Sequence, residues 1–209
     1  MRDLVNQAAR RLPTWPVYIA GVLPFVWLFT QALGNNLGAD PAKTLERELG
    51  LIALQLLVAG LCVTPLRWVG LNLIKFRRAL GLLAFGYVTL HLTTWVVLDL
   101  GLRWGQIIAE LYKRPYIIIG MTAFILMIPL AITSAQWAIR RMGPLRWRRL
   151  HMLTYGVGLL GALHFVMLQK TWAAEALIYL GLVAVLLVAR ALRPVWQRWG
   201  QSRARPATA

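Results

Sequence analysis

The chain has 209 residues, of which 59% are hydrophobic, and its mean hydropathy is +0.61. A soluble domain is nearer half apolar, so this composition excludes an ordinary soluble protein and indicates a membrane protein. The formal net charge of +16 does not indicate nucleic-acid binding, because the basic residues lie in short clusters between apolar runs. We therefore expect lipid around the chain and no nucleic-acid partner.

Six apolar runs predict six membrane-spanning helices, each close to the ~20 residues that a helix needs to cross a bilayer. The runs lie near 17–34, 50–66, 79–98, 115–133, 150–168 and 174–192. The predicted fold class is therefore an all-α membrane protein with a six-helix bundle over 17–192. A short N-terminal segment, 1–16, precedes the bundle, and a basic tail, 193–209, follows it.

The first run follows Arg10 and Arg11, as the apolar part of a signal peptide would. Its length, its internal Pro24 and the absence of a small-x-small cleavage site predict instead that it remains as an anchor. Pro24 and Pro129 predict kinks, which neighbouring helices accommodate in a membrane.

The loop charges predict the orientation of the bundle. The N-terminal segment, the 67–78 loop, the 140–149 loop and the tail with Arg190 just before it hold 17 of the 23 basic residues, and the alternate loops hold six of the seven acids. Because basic loops stay in the cytoplasm, both termini are predicted to face the cytoplasm. Tryptophans near the ends of the runs, such as Trp15, Trp68 and Trp147, are typical of an aromatic belt.

Histidine is the scarce polar residue of this chain, with only His91, His151 and His164. The single cysteine, Cys62, cannot form an internal disulfide, and there is no CxxCH motif for covalent haem attachment. The third and fifth runs cross the membrane in the same direction. At ~1.5 Å per residue, His91 lies about 18 Å and His164 about 21 Å from the cytoplasmic starts of these helices.

Two imidazoles at matching depth on neighbouring helices suit the two axial positions of a b-type haem. The second ring nitrogen of each ligand then needs a hydrogen-bond acceptor. The threonines close to the histidines in sequence are the candidates for this role: Thr89, Thr93, Thr94 and Thr154.

Other roles for the histidines remain open from the residues alone. An intramembrane histidine also serves as a hydrogen-bonding residue between helices, and buried ionisable groups carry protons in proton-coupled transporters. The helices contain almost no Asp or Glu to complete a proton relay, and no carboxylate or thiolate is spaced to complete a zinc site. A structural anchor for a partner would need no depth-matched histidines.

His151 does not fit an ideal helix that also carries His164. Thirteen residues at ~100° each place the two side chains about 220° apart around the helix axis. Gly156, Gly158 and Gly161 lie between them and would permit a local distortion; in a regular helix, His151 faces elsewhere.

Seven stretches, which together cover about 17–190, form a recognisable set: LPFVWL at 23–28, LGADP at 37–41, RRALGL at 77–82, LHLTTW at 90–95, KRPY at 113–116, RRLHMLTYGVGLLGALHF at 148–165 and LIYLGL at 177–182. They resemble the MsrQ (YedZ) family, haem-binding membrane subunits of bacterial methionine sulfoxide reductase systems. The family belongs to the ferric-reductase-like transmembrane group, which also contains NADPH oxidases.

The resemblance implies a b-type haem whose iron is bound by His91 and His164. In the oxidase relatives, two further histidines hold a second haem, and one of these positions is Arg77 here. The resemblance therefore leaves open whether there is one haem or two. His151 and Arg77 are expected to bind a second haem weakly, to contact haem propionates, or to form part of a quinol or flavin site. FMN is attributed to similar proteins, but no phosphate-cradling glycine motif is present to locate it. A GxGxxG nicotinamide site is also absent from the sequence.

The function that the resemblance implies is electron transfer across the bacterial inner membrane, by a subunit that is not itself catalytic. Electrons would come from the quinol pool or from a cytosolic flavin reductase. They would pass to a periplasmic molybdopterin methionine sulfoxide reductase (MsrP-like) that repairs oxidised proteins. A proton-coupled membrane transporter that uses the intramembrane histidines is the alternative function.

Overall fold

A computed structural model describes residues 2–169 and 172–204. The described residues form helices and no strand. Six helical segments among them are long and apolar enough to cross a membrane: Trp15–Leu33, Pro41–Trp68, Ile74–Asp99, Pro115–Ile132, Pro144–Leu168 and Ala174–Pro194. The predicted all-α membrane fold with six spans is confirmed.

The helices are numbered in chain order. They are α1 (Arg2–Arg11), α2 (Trp15–Leu33), α3 (Pro41–Trp68), α4 (Arg77–Thr93), α5 (Trp104–Lys113), α6 (Pro115–Ile132), α7 (Gln136–Met142), α8 (Pro144–His151), α9 (Leu153–Leu168) and α10 (Ala174–Ala204). Helix α10 extends into the predicted tail as far as Ala204, and the remainder of that tail, 205–209, lies outside the described residues.

Helix α3 begins nine residues before the apolar run at 50–66 that predicted it. Its start is defined by Asp40, whose side chain accepts a hydrogen bond from the backbone N–H of Lys43 at 3.1 Å, and by Pro41 at the first helical position. The same N–H and the ammonium of Lys43 hold the pKa of Asp40 below its usual range. The first turns of α3 are charged, so hydropathy alone does not reveal them.

The two histidine-bearing spans are not continuous α-helices. The third span starts with a 3₁₀ turn, Ile74–Phe76, continues as α4, and ends as a π-helix over Thr94–Asp99. In the fifth span, α8 and α9 are separated at Met152, directly after His151. The glycines that were expected to permit a distortion, Gly156, Gly158 and Gly161, lie within the continuous helix α9, and Met152 keeps a right-handed helical backbone (φ −67°, ψ −21°).

Helix α1 is hydrogen-bonded to the loop between the second and third spans and to the start of the third span. The side-chain amide of Asn6 donates to Gly70 O at 2.8 Å, and its oxygen accepts from the N–H of Asn72 at 2.9 Å. Lys75 Nζ donates to Arg10 O at 3.1 Å, near the end of α1 where carbonyls lack helical partners. The N-terminal segment and this loop therefore lie at the same end of the bundle.

Helix α3 is the centre of the bundle. Its residues contribute to all three clusters of buried side chains, with Leu54 and Leu61 facing α9 and α10, Leu49 facing α2 and α4, and Leu57 facing α4, α6 and α9. Of the six spans, α3 is also the most buried: 39% of its most apolar 18-residue stretch is buried inside the protein. The helices around it leave most of their apolar surface outward, as expected for contact with lipid.

A hydroxyl group on α4 bonds to two backbone groups of α2 that are left unpaired next to Pro24. Proline breaks the helical hydrogen-bond ladder because it has no N–H and its ring obstructs the preceding turn. The Tyr87 hydroxyl donates to Gly21 O at 2.7 Å and accepts from the N–H of Phe25 at 3.0 Å. A regular helix would join these two backbone groups directly. The neighbouring helix thus supplies the missing partners, as a membrane interior requires.

Replacing Tyr87 with phenylalanine should therefore destabilise the bundle, because it leaves Gly21 O and the Phe25 N–H without their partner. We expect Tyr87→Phe to lower the free energy of unfolding in detergent by about 1–3 kcal/mol. The matched control is Tyr112→Phe, since Tyr112 is 84% exposed and should tolerate the change. Equal stability of the two variants in a denaturant titration would contradict this role of Tyr87.

Candidate functional site

A cavity of about 350 Å³ lies between α3, α4, α6 and α9. Ligand pockets usually have volumes of about 300–1,000 Å³, and this cavity falls within that range. Its deeper walls are apolar and include Leu57, Phe124 and Met127, whereas its mouth is lined by charged residues near the starts of α3 and α6. The cavity is therefore shaped for a largely apolar ligand with a polar end.

His91 and His164 both line this cavity. His91 lies on α4, and its Nδ1 is 2.8 Å from the backbone oxygen of Glu46 on α3. His164 lies on α9, and its Nδ1 is 2.7 Å from the backbone oxygen of Tyr116 on α6. Because a carbonyl oxygen only accepts hydrogen bonds, each Nδ1 must carry the proton. Each neutral ring then keeps a free lone pair on Nε2, which is the form that binds a metal.

The two histidines are held in the same way by two separate helix pairs. Helix α3 supplies the acceptor for the ring on α4, and α6 supplies the acceptor for the ring on α9. The bonded residues are 45 positions apart in the first pair and 48 in the second. In each pair the acceptor lies near the start of one helix and the histidine near the end of the other, so α3 with α4 and α6 with α9 form two similar halves of the site.

The predicted threonine acceptors are wrong. The hydroxyls of Thr89 and Thr93 donate instead to carbonyls one turn earlier in their own helix, at 2.8 Å each. A threonine hydroxyl in a membrane helix readily makes this local bond. Its oxygen could still accept a bond, but the Nδ1 atoms of His91 and His164 bond to backbone oxygens instead. The acceptors are backbone oxygens of another helix, and no residue type in the sequence marks them.

The separation of the two rings fits a single metal between them. Their centroids are 6.3 Å apart and their planes are nearly perpendicular, at 82°. Metal–imidazole bonds are about 2 Å long, and the ring centroid lies about 1 Å behind the bonding nitrogen, so two rings on opposite sides of one metal have centroids about 6 Å apart. The observed pair matches that distance.

The two histidines provide too few protein ligands for a tetrahedral metal site. Within residues 2–169 and 172–204 no group of three or more His, Cys, Asp or Glu side chains could hold a metal ion. A zinc site needs at least three such ligands, whereas a haem supplies four nitrogens of its own and needs only two axial ligands. The donor set therefore fits haem iron better than zinc.

The mouth of the cavity carries charges of both signs. Lys43, Arg47 and Arg114 line it, together with Glu46 and Asp99. Arginine and lysine suit the carboxylates that a haem carries on one edge. The two acids lie closer to the histidines than their positions near the helix ends suggested, because the first turns of α3 and the π-helix after α4 form part of the wall.

The three cations at the mouth also form ion pairs with acids on the protein surface. Lys43 pairs with Asp40 at 3.2 Å and Arg47 with Glu175 at 4.0 Å. Arg114 pairs with Glu110. All six side chains are at least partly exposed, so these pairs contribute little to stability and a ligand carboxylate can compete for the cations.

His151 lies outside the cavity and is bonded differently. Its Nε2 is 3.1 Å from Thr133 Oγ1, and the Thr133 hydroxyl donates its own proton to Pro129 O at 2.6 Å. The Nε2 of His151 is therefore the donor, which is the opposite tautomer to the other two histidines. Its ring stacks on Trp147 with centroids 4.0 Å apart, and Trp147 Nε1 donates to Thr133 O at 2.9 Å.

Arg77 is the first residue of α4 and does not line the cavity. A further arginine, Arg190, lies on α10 within the sixth span. Arg190 itself donates to the backbone oxygens of Leu186 and Leu61, and its guanidinium lies over the Tyr155 ring. Neither Arg77 nor His151 lines the cavity that holds His91 and His164, and their joint role stays a prediction.

Comparison with known proteins agrees with this architecture. The model of the ferric reductase like transmembrane component family matches residues 48–162, more than half of the chain. The protein-methionine-sulfoxide reductase heme-binding subunit MsrQ of Brucella anthropi is 48% identical over 181 residues, which are 86% of this chain and 82% of that protein. The proteins of the same name from Brucella ovis and Brucella abortus are each 49% identical over the same shares.

No solved structure matches the chain. The matched region contains the cavity helices α4 and α6 and most of α3 and α9. The chain belongs to the MsrQ family, within the ferric-reductase-like transmembrane proteins, and the family predicted from the sequence motifs is confirmed.

The hydrogen bonds predict which nitrogen of each imidazole carries the proton. In haem-free protein labelled with ¹⁵N-histidine, at mildly alkaline pH where the rings are neutral, we expect two rings protonated on Nδ1 and one on Nε2. The ¹⁵N shifts and couplings of the rings distinguish the two tautomers. His151→Gln should remove only the signal of the ring protonated on Nε2. If that signal remains in the variant, the bonding described here is contradicted.

Proposed function

We propose that the chain is a haem b membrane electron carrier in which His91 and His164 are the axial ligands of one haem. The observation that carries this proposal is the pair of imidazoles that line one largely apolar cavity. Their ring centroids are 6.3 Å apart, and the bonds made by Nδ1 leave the Nε2 lone pair of each ring free. The MsrQ relatives are named as heme-binding subunits, which supports the same ligand.

The residues of the cavity have separate roles in this proposal. A haem iron, when bound, accepts and releases one electron at a time. His91 and His164 bind it, and the carbonyls of Glu46 and Tyr116 orient their rings. Apolar side chains deeper in the cavity exclude water. Lys43, Arg47 and Arg114 at the mouth would neutralise the carboxylates that a haem carries on one edge.

The carrier is placed in the bacterial inner membrane with both termini in the cytoplasm, because the most basic loops lie at one end of the bundle. The contact between Asn6 and Gly70, and the position of Arg193 over the Trp68 ring at 4.3 Å, support a common end for α1, the 67–76 region and the end of the sixth span. The mouth of the cavity, at the starts of α3 and α6, then faces the periplasm.

The electron acceptor in this proposal is a periplasmic molybdopterin methionine sulfoxide reductase that repairs oxidised proteins. Support comes from the relatives' name, which makes them subunits of a protein-methionine-sulfoxide reductase, and from a cavity mouth on the periplasmic side. Electrons enter from quinol or a cytosolic flavin reductase at the opposite end, where Arg77 and His151 lie. The chain itself performs no substrate chemistry.

Arg77 and His151 form the proposed inner site for a carboxylate, a phosphate or a second haem, and FMN is one phosphate-bearing candidate. An arginine beside an imidazole suits an anionic group. Iron binding by His151 through Nε2 would require the release of Thr133. For this reason the haem between His91 and His164 is the first that we propose, and a haem bound by His151 is only a second candidate.

Variants of the three histidines test the haem assignment. His91→Ala and His164→Ala should each lose one haem per polypeptide, because an axial ligand and its hydrogen bond are removed together. His151→Ala, the matched control, should keep the haem of the cavity. The measurement is the dithionite-reduced visible spectrum with haem and protein quantified in the same purified sample.

A well-folded preparation without any haem would overturn the proposal. It would favour the proton-coupled transporter, for which Glu46 and Asp99 in the same cavity as the histidines are the supporting observation. A loss of haem from His151→Ala as well as from the other two variants would show that a second haem is bound at the inner site.

Transfer to the partner is tested with the reduced protein. Addition of the purified periplasmic reductase and a methionine sulfoxide substrate should reoxidise the haem, whereas either addition alone should not. The spectrum is followed with time under anaerobic conditions. Reoxidation that requires no reductase, or that fails with all three components present, would contradict the assigned partner.

A further inference from the structure

Two glycines lie directly against the two histidine rings of the cavity. A Cβ added at Gly50 of α3 would be 3.0 Å from His91 Nδ1 and 3.1 Å from its Cε1. A Cβ added at Gly120 of α6 would be 2.7 and 2.8 Å from the same atoms of His164. Real Cβ atoms essentially never approach other atoms within 3.0 Å, so the ring at Gly120 would have to move.

Both glycines are four residues after the carbonyl that accepts the hydrogen bond of the ring. Gly50 follows Glu46 by one helical turn, and Gly120 follows Tyr116 by the same step. In a helix, the Cα–Cβ bond tilts toward the N-terminus, so the side chain at i+4 covers the carbonyl of residue i. At these two positions the absence of a Cβ leaves that oxygen open to the imidazole ring from another helix.

The carbonyls can accept a second bond at this position. Each already accepts the N–H of the residue one turn later within its own helix, and its remaining lone pair is available to the imidazole. The glycine therefore has a specific geometric purpose on each helix, and it occurs once in each of the two similar halves of the site.

Resting on the haem proposed above, we propose that Gly50 and Gly120 are positioning residues for the two axial histidines. By leaving the carbonyls of Glu46 and Tyr116 uncovered, they allow the bonds that hold each ring in the Nδ1-protonated form. A hydrogen bond from Nδ1–H to a carbonyl makes the imidazole a more basic ligand and so favours the ferric state of the iron. The glycines thereby set both the affinity for haem and its reduction potential.

Alanine at each position tests this inference, with alanine at two other glycines as matched controls. Gly86 lies on α4 and Gly156 on α9, the same helices as the histidines, and a Cβ at either would meet nothing within 4 Å. Because alanine favours a helix more than glycine does, the substitution by itself should not weaken any of the four variants. Only the contact with the ring distinguishes Gly50→Ala and Gly120→Ala from the controls.

We expect Gly120→Ala to weaken haem binding about 10–100-fold, the usual cost of losing a partner behind a metal ligand, and Gly50→Ala to have a smaller effect because its contact is longer. The reduction potential of the haem that remains should shift upward in both variants, and the low-spin ferric EPR signal should change as the rings turn. Gly86→Ala and Gly156→Ala should keep the wild-type affinity, potential and signal. If Gly120→Ala does not fold, Gly50→Ala provides the same test with a milder contact.

A measurement without haem separates this inference from the haem assignment. In ¹⁵N-histidine-labelled apo protein, Gly120→Ala should lose the hydrogen-bonded Nδ1–H signal of His164 and leave that of His91 unchanged, and Gly50→Ala should do the reverse. Wild-type ring signals together with a wild-type potential in both variants would overturn the role of the glycines while leaving the haem assignment intact. Wild-type protein that binds no haem would overturn the haem assignment, and the ring signals would still decide whether the glycines position the histidines.

Discussion

The site depends on one kind of interaction, a hydrogen bond from a ring N–H to a backbone carbonyl of another helix. His91 makes it to Glu46 and His164 to Tyr116. The net worth of such a bond is only about 1 kcal/mol, but an unpaired N–H in an apolar cavity would cost more than that. The bond also requires the helices of each pair to approach closely enough for a ring to reach the opposite backbone. The tautomer of each ring and the free nitrogen on its far side both follow from it.

The inner end of the same span shows how the partner determines what a histidine can do. His151 lies thirteen positions before His164, but its Nε2 is committed to Thr133 and its ring to Trp147. Two residues of one type, on one span, thus differ in which nitrogen is free. Because thirteen residues of a helix place the two side chains about 220° apart, a nearly regular helical path already directs His151 away from the cavity that His164 lines.

Much of the fold could be predicted from the sequence, because hydrophobic length and loop charge are properties of composition. The depth match of His91 and His164 also followed from counting residues, and the motif around them led to the family. The acceptors did not follow, because every residue has a carbonyl and only the packing decides which one meets a ring. The signal that could have found them is a glycine facing each histidine, but Gly50 and Gly120 are only two of 17 glycines in the chain.

Other features escaped the sequence for related reasons. The insertion of the Tyr87 hydroxyl at Pro24 needs the relative height of two helices, which periodicity does not give. The charged first turns of α3 carry no apolar run, so they looked like a loop although Asp40 and Pro41 mark a helix start. The π-helix over Thr94–Asp99 follows the histidine without any proline or glycine to announce it.

The rigid seating of the two rings has a consequence for how fast an electron can move through the proposed carrier. Each imidazole is attached to its own helix by a covalent bond and to a second helix by a hydrogen bond, so neither ring is free to turn when the charge between them changes. The surroundings of the deeper cavity are apolar and have few dipoles to reorient. Both properties keep the reorganisation energy small, as expected when a protein arranges its polar groups before the charge moves. In the proposed carrier, the helices that span the membrane would thus change little in shape when a haem between the two rings gains or loses an electron.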